Sequence, residues 1–294
     1  RWIAKASGGS RLIEAPSERL RVVQRLVLER MLSRVPAHDA AHGFVRHRSP
    51  WTFARVHAQS DLVLRLDLED FFASVGRERV RRIWMTLGQA PSVARLPARL
   101  TTWKTPPAVL RARPRERDPE RAWRSARRFR SPHLPQGAPT SPALANLAAY
   151  RLDTRVPGLA RKLGARYARY ADDLALSGGE LARSWRRVIP RVAAIAIEEG
   201  FVLRFDKTKP MPAAQRQQLC GLVLNESPAL ARDAYDRLRA RLHTLATEGF
   251  AGDAGAREAL ALELRGHVAH ASGGRGGRAK KLERLLPGAP ESMT

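Results

Sequence analysis

The chain has 294 residues, 44% of them hydrophobic, which is a globular composition with enough apolar mass for one large core or two to three small ones. Its formal net charge is +25, carried almost wholly by arginine; this exceeds what solubility needs and points to a polyanionic partner, whose phosphates guanidinium groups grip and whose bases they stack on. The single cysteine, Cys220, excludes an internal disulfide or a cysteine zinc cluster and suits a reducing, cytoplasmic setting, and no apolar run reaches the roughly 18–20 residues of a membrane span.

Arg1–Lys5 and Arg11–Pro16 flank the turn Ser7-Gly8-Gly9-Ser10 and predict a β-hairpin with basic residues on both arms. Because the chain opens on Arg inside this strand-like run, further residues are expected upstream. Lys5 and Arg11 are candidates to face a triphosphate; a solvated basic hairpin is the alternative. Leu20, Val23, Leu26 and Val27 recur at helical spacing and predict a helix over 18–32. Residues 36–62 are basic and loop-like, with His38, His42, Arg46, His47, Arg48 and His57. The histidines lack a cysteine or acidic ligand at matching spacing, so a zinc site is discounted. Arg46, Arg48 and His57 are read as contacts to nucleic-acid backbone.

Leu62, Leu64 and Leu66 alternate along a strand that ends in Asp67-Leu68-Glu69-Asp70 beside Phe71-Phe72. A carboxylate at a strand end against apolar residues is expensive without a cation or donor, which makes Asp67 a candidate metal ligand. An aspartate capping the next helix is the alternative, better suited to Glu69 or Asp70. A helix is predicted over 77–87. From Arg111 to Arg130 nine arginines stand against Glu116, Asp118 and Glu120, either as a solvated helix or arm or as a track for phosphates. Next comes a Gln136-Gly137 loop. Ser141 is expected as N-cap and Pro142 as first helical residue. Leu144, Leu147, Ala148 and Leu152 share a face, and Pro157-Gly158 ends the helix.

Arg166–Ser177 gives two strand-like runs around a tight turn that holds Asp172 and Asp173. Adjacent carboxylates repel, and a hard divalent cation, Mg²⁺ or Mn²⁺, rewards keeping both ionised. A metal-free polar turn is the alternative. Helical spacing from Trp185 to Ala196 stops at Gly200, and a strand over 201–205 leads to Asp206-Lys207. A hairpin is predicted over 218–225, a helix capped at Ser227-Pro228 over 227–249, and another helix over 254–270. The Gly/Arg-rich stretch 273–281 is expected to be mobile.

In this order the pieces resemble the palm of reverse transcriptases. Leu66–Phe72 looks like the first catalytic motif, Pro135–Pro142 like the second, and Tyr170-Ala171-Asp172-Asp173 like the third. Phe205–Thr208 resembles the lysine motif, and Leu219–Asn225 the primer-grip region. Ala41–Val45 and Arg48-Ser49 are similar to the segment before the first motif in bacterial enzymes of the group II intron and retron type. Two stretches depart from the retron pattern. Phe53-Ala54-Arg55-Val56-His57 keeps Ala and His of an Asn-Ala-x-x-His element but not Asn, and Leu219-Cys220-Gly221 stands where Val-Thr-Gly is usual.

The resemblance implies an α+β, right-hand polymerase fold with fingers at 1–60, a palm at 61–225 carrying a basic insertion around 90–133, and a helical thumb at 226–294. It implies two Mg²⁺ ions, with Mn²⁺ as a substitute, held by Asp67, the Leu68 carbonyl, Asp172 and Asp173. Phe72 would stand beneath the incoming sugar with Phe71 behind it. Gln136 and Gly137 would position the nucleotide, Lys5 and Arg11 its triphosphate, and Lys207 the pyrophosphate. Tyr170, Gly221, Arg237 and Arg241 would join Arg46, Arg48 and His57 on the nucleic acid. The implied partners are dNTPs, an RNA/DNA hybrid and a structured RNA template of the retron non-coding type, with a toxin or effector protein in phage defence. An RNA-templated RNA polymerase would share the carboxylates, but Phe72 leaves no room for a 2′-hydroxyl; a non-catalytic RNA-binding palm would have lost one of the three aspartates.

Overall fold

The computed structural model describes residues 1–4, 10–114, 116, 118–247, 253–273 and 277–286. It divides into two compact units, Arg1–Ser49 with Asp61–Pro210, and Pro50–Ser60 with Met211–Thr294.

The first unit is organised by a sheet in the spatial order Arg166–Tyr170, Asp173–Ser177, Leu62–Asp67, Lys209–Pro212, the last strand leading out of the unit. Leu62–Asp67 is buried on both faces except at Arg65, because helices cover it. Val188 and Val192 of the helix Leu181–Glu198, and Leu144, Leu152 and Val156 of the helices Ser141–Ala148 and Tyr150–Lys162, join Leu64 and Leu66 in one core. Each such aliphatic side chain contributes about 1.5–3 kcal/mol by leaving water. The antiparallel register sets Asp67 opposite Asp173 and Leu66 opposite Leu174, so the acidic ends of both strands meet at one edge of the core.

The second unit holds a three-stranded sheet of Gln218–Leu219, Leu222–Val223 and Ala229–Leu230. Its first turn has both central residues, Cys220 and Gly221, at positive φ, the geometry that matches hairpin twist. Helices Arg232–Thr247, Ala254–Ser272 and Gly277–Arg284 pack through Tyr235, Leu238, Leu242, Leu264, Val268 and Leu282.

Several expectations need correction. Residues 36–62 are not one basic loop: 50–57 form a helix of the second unit, where Trp51 Nε1 donates to the His270 carbonyl at 2.7 Å. The helix Tyr150–Lys162 runs through Pro157 and Gly158, since burial of Leu152, Val156 and Ala160 outweighs the lost backbone bond. The strand over 201–205 is a single bridge, Leu203 to Leu68, because a 3-10 turn at Phe205–Lys207 swings the chain back towards Asp67. Ser227-Pro228 caps no helix; a short strand intervenes and the helix begins at Arg232. The Gly/Arg-rich stretch carries the helix Gly277–Arg284 over part of its length, and 274–276 lie outside the described residues. The arginine-rich arm is a docked helix, Pro119–Arg130, whose N-cap Asp118 accepts from the Glu120 and Arg121 amides.

Candidate active site

The turn between Tyr170 and Asp173 has only two residues, and Ala171 sits in the left-handed region at φ 55°. A β-carbon resists that conformation, so the surroundings must hold it. They do so from two sides. Gly43 packs so closely beneath the turn that an added β-carbon would lie 2.4 Å from the Ala171 nitrogen. Residues 40–42 bond to Arg169 as a short parallel bridge: the Arg169 amide donates to the Ala40 carbonyl and the His42 amide to the Arg169 carbonyl, each at 2.7 Å. Burial, then Arg48, pushes the His42 imidazole down to about 4, which keeps it neutral beneath the turn.

From the other side the Arg169 side chain, fully buried, bonds to the Ala171 carbonyl (2.9 Å), Asn146 Oδ1 (3.1 Å) and Asp153 Oδ2 (2.6 Å). Asn146 Nδ2 also donates to the Gly43 carbonyl at 2.9 Å, and Tyr167 donates to Asp153 at 3.0 Å. A buried pair is tolerated only when its remaining hydrogen-bonding capacity is filled, and here the turn fills it. The turn is tied to the neighbouring motif as well, with the Leu68 amide donating to the Asp172 carbonyl at 2.8 Å.

Asp67, Leu68 and Asp172 line a cleft with Arg11, Phe71, Phe72, Gln136 and Lys207. Lys207 Nζ lies 2.8 Å from Asp67 Oδ2, and the Arg204 amide donates to the Asp67 carbonyl at 2.7 Å. Arg65 holds Asp173 Oδ1 through Nε at 2.8 Å and Nη2 at 2.6 Å. Among the described residues no arginine clamps Asp172 in this way. Burial, then Asp67 and Asp173, pushes it up to about 6. Burial also raises Asp173, while Arg65 pulls it back. Among the described residues no three acidic, histidine or cysteine side chains gather tightly enough to hold a metal alone. Asp67 and Asp172 still suit a hard cation. Mg²⁺ commonly takes one or two protein carboxylates and completes its shell with water and substrate phosphates, and a buried carboxylate held near 6 gains by meeting a cation.

Phe72 is half-buried, 5.9 Å from the exposed Phe44 ring and 5.6 Å from Phe71, which is itself buried against Phe201. Gly137, at φ 127°, faces the backbone of Glu14 and Ala15, and the Glu14 amide donates to the Gln136 carbonyl at 2.8 Å. The N-terminal hairpin and the Gln-Gly loop thus form one wall. Lys5 lies outside the described residues.

The family model for reverse transcriptase (RNA-dependent DNA polymerase) matches residues 3–224. The chain belongs to the reverse transcriptase family. It is 38% identical over 276 residues to the retron Mx65 reverse transcriptase of Myxococcus xanthus, covering 92% of this chain and 58% of that one. It is 30% identical over 237 residues to the retron Ec86 reverse transcriptase of Escherichia coli, covering 79% and 64%. The chain therefore spans less than two thirds of the length of these curated relatives. A foamy viral protease–reverse transcriptase in complex with double-stranded DNA overlays 97% of this chain and 42% of its own at a TM-score of 0.43 and 13% identity. The fold is α+β, and the architecture is the right-hand polymerase fold of reverse transcriptases. That chemistry depends generally on divalent metal.

Not every expected contact of this reverse transcriptase chain reaches a surface. His57 is 0% exposed and packs edge-on against Phe53, so it is withdrawn as a backbone contact. Arg48 is spent on its own loop, bonding to the Asp39 and Ala41 carbonyls. Arg237 and Arg241 are paired with Asp233 and Glu263, each at 3.0 Å, though both stay exposed. Arg46 and Gly221 are exposed and Tyr170 is half-buried. Sequence reasoning missed Arg169, Asp153, Asn146, Arg65 and Arg204. The available signal was polar residues recurring inside otherwise buried stretches, such as Arg169 between two tyrosines.

Among the described residues no helix is long and apolar enough to cross a membrane.

Proposed function

We propose that the chain is an RNA-directed DNA polymerase of the retron type, extending a primer on an RNA template by nucleotidyl transfer. The observation that carries this reading is the meeting of Asp67 and an unclamped Asp172 in a cleft walled by Phe72, Gln136, Arg11 and Lys207. Asp67, Asp172 and the Leu68 carbonyl would hold two Mg²⁺ ions, or Mn²⁺ in their place, with Asp173 in support. The chemistry such ions would supply is a lowered pKa at the primer hydroxyl and neutralisation of charge on the departing pyrophosphate. Lys207, already beside Asp67, is placed to meet phosphate oxygens when a nucleotide enters, and Arg11 to meet the triphosphate from the hairpin side. Lys5 belongs with Arg11 in this reading. Phe72 blocks a 2′-hydroxyl, and Gln136 with Gly137 supports the base and sugar.

We read the first unit as fingers and palm and the second as primer grip and thumb, with Gly221, Arg237 and Arg241 towards the duplex. In this reading the template is a structured non-coding RNA of the retron type, read by shape and 2′-hydroxyls, and the chain acts in the cytoplasm and in phage defence beside an effector protein; the names of the retron relatives support the retron part alone.

Primer extension with dNTPs and with rNTPs, on poly-rA and poly-dA templates, tests the activity. Wild type should incorporate dNTPs on RNA, and Asp172→Asn with Asp173→Asn should not; retained incorporation refutes the site. Phe72→Ala should raise ribonucleotide use, and unchanged sugar selectivity removes Phe72 from the gate. Sequencing nucleic acid that copurifies should return one structured RNA joined to DNA; a random RNA population refutes the retron assignment.

A further inference from the structure

The helix Pro119–Arg130 divides its arginines between two faces. Arg124 and Arg128 turn inward and take the carboxylate of Glu69, at 3.1 and 2.7 Å, and Arg128 also reaches Asp70 at 3.3 Å. Glu69 is 2% exposed, so these bonds fasten the helix directly behind the first catalytic motif. Arg121 pairs with Glu116 at 3.1 Å. All three are thus committed to carboxylates, Arg121 at the rim of the catalytic cleft.

Trp123, Arg127 and Arg130 form a neighbouring outer stripe, at i, i+4 and i+7, and all are exposed. Trp123 keeps 63% of its surface in water, an unusual exposure for a side chain whose burial is worth several kcal/mol. The Arg127 guanidinium stands over its ring at 5.6 Å. Neither Arg127 nor Arg130 has a carboxylate partner among the described residues. The nearest acid on this face, Glu120, sits at the helix start and is held by Arg124 at 3.0 Å. Beside the stripe runs an open groove of about 690 Å³, lined by Trp123, Arg127, Ile197 and Phe201 and, from the side that holds Glu69, by Arg124 and Arg128, and Ile197 is also 63% exposed.

We infer that this stripe and groove are a docking surface for single-stranded RNA outside the catalytic cleft, with one base stacked on Trp123 and flanking phosphates on Arg127 and Arg130. An exposed aromatic next to guanidinium groups is how proteins hold unpaired strands, since every base offers a π-face. Charge decides between RNA and a protein partner: beyond Trp123 the stripe is wholly cationic, on a chain of net charge +25. Because the inner face of the helix is fixed to Glu69 and Asp70, RNA held outside would be anchored to the same rigid element that carries Asp67. The inference does not depend on the polymerase reading.

The test uses the full chain and a short fluorescein-labelled single-stranded RNA carrying one iodouridine. Trp123→Ala should weaken binding about tenfold, within the range for loss of one stacked base, and Trp123→Phe should retain most of the affinity. Arg127→Gln with Arg130→Gln should reduce the slope of log affinity against log salt by roughly 1.4, the share of two phosphates on a single strand. The photo-cross-link should map to the peptide containing Trp123. Melting temperature and dNTP incorporation on a pre-annealed template–primer should stay at wild-type values in all three variants. Asp172→Asn should keep the RNA binding, so loss of the catalytic reading leaves this one standing. Wild-type affinity in Trp123→Ala, an unchanged salt slope in the arginine variant, or a cross-link confined to other peptides overturns the proposal and leaves the stripe to a protein partner.

Discussion

Asp172→Asn should stabilise the metal-free protein, and by an amount that depends on pH. Folding raises this carboxyl from 3.8 to about 6, chiefly through burial and then through Asp67 and Asp173. Below 3.8 the group is protonated folded and unfolded, and burial costs nothing extra. Between 3.8 and about 6 the folded chain keeps a proton that the unfolded chain releases, so stability falls as pH rises. Above that window both states are ionised and the whole penalty is felt. A shift of roughly two units corresponds to a ceiling of ~3 kcal/mol, and relaxation and water entry bring the expected gain to about 1–2 kcal/mol. Asparagine keeps the shape and drops the charge. The assay is urea denaturation in EDTA from pH 4 to 8, wild type against Asp172→Asn. The difference should be near zero at pH 4, grow to pH 6 and then level off. Adding Mg²⁺ at pH 7.5 should stabilise wild type and leave the variant unmoved. A variant less stable than wild type at pH 8, or a difference that does not vary with pH, refutes the reasoning.

Arg169→Met should lose about 3–5 kcal/mol, because Asp153 is left charged and buried without its partner. Arg169→Met with Asp153→Leu should recover most of that in chemical denaturation yet remain slow in dNTP incorporation, since the Ala171 carbonyl has still lost its donor; a double variant at wild-type rate would show that the brace serves stability alone. Gly43→Ala should cut incorporation by about a hundredfold or more while unfolding changes by only about 1–3 kcal/mol, as the added carbon displaces the Ala171 nitrogen rather than the core. Glu69→Gln should loosen the helix Pro119–Arg130, read as faster trypsin cleavage after Arg124 or Arg128; unchanged cleavage would mean that Phe129 alone anchors it.

That Asp67, Asp172, Gln136 and Lys207 meet at one cleft, with Asp173 opposite Asp67, was legible because each sits where a strand or loop ends, and their order along the chain carries information that no single motif does. What supports them was not. A strand arginine next to tyrosines suggests a solvated edge until Ala40, His42 and Asn146 close over it, and those contacts span from 23 to over a hundred residues of sequence. His57 illustrates the reverse error. Among other histidines and arginines it looked like surface chemistry, yet Phe53 one turn earlier belongs to the same buried face. The helix over Pro157 was missed because local propensity weighs against it and only the core rewards it. Docking of the arginine-rich helix was hidden by composition, which counts charges without saying which face each occupies.

The second unit takes its helix Pro50–His57 from one part of the chain and the rest from beyond Pro210. On a ribosome, Pro50–Ser60 emerges well before the rest of its unit, and the 150 residues of Asp61–Pro210 must follow before Gln217 can donate to the Ser60 carbonyl. Trp51 of this segment, buried in the finished chain, waits still longer for the His270 carbonyl to which it donates. No cut at a single peptide bond yields either unit whole. A fragment ending near residue 210 would keep every catalytic aspartate and carry an unpaired hydrophobic helix, so its failure in solution would report on connectivity rather than on the active site.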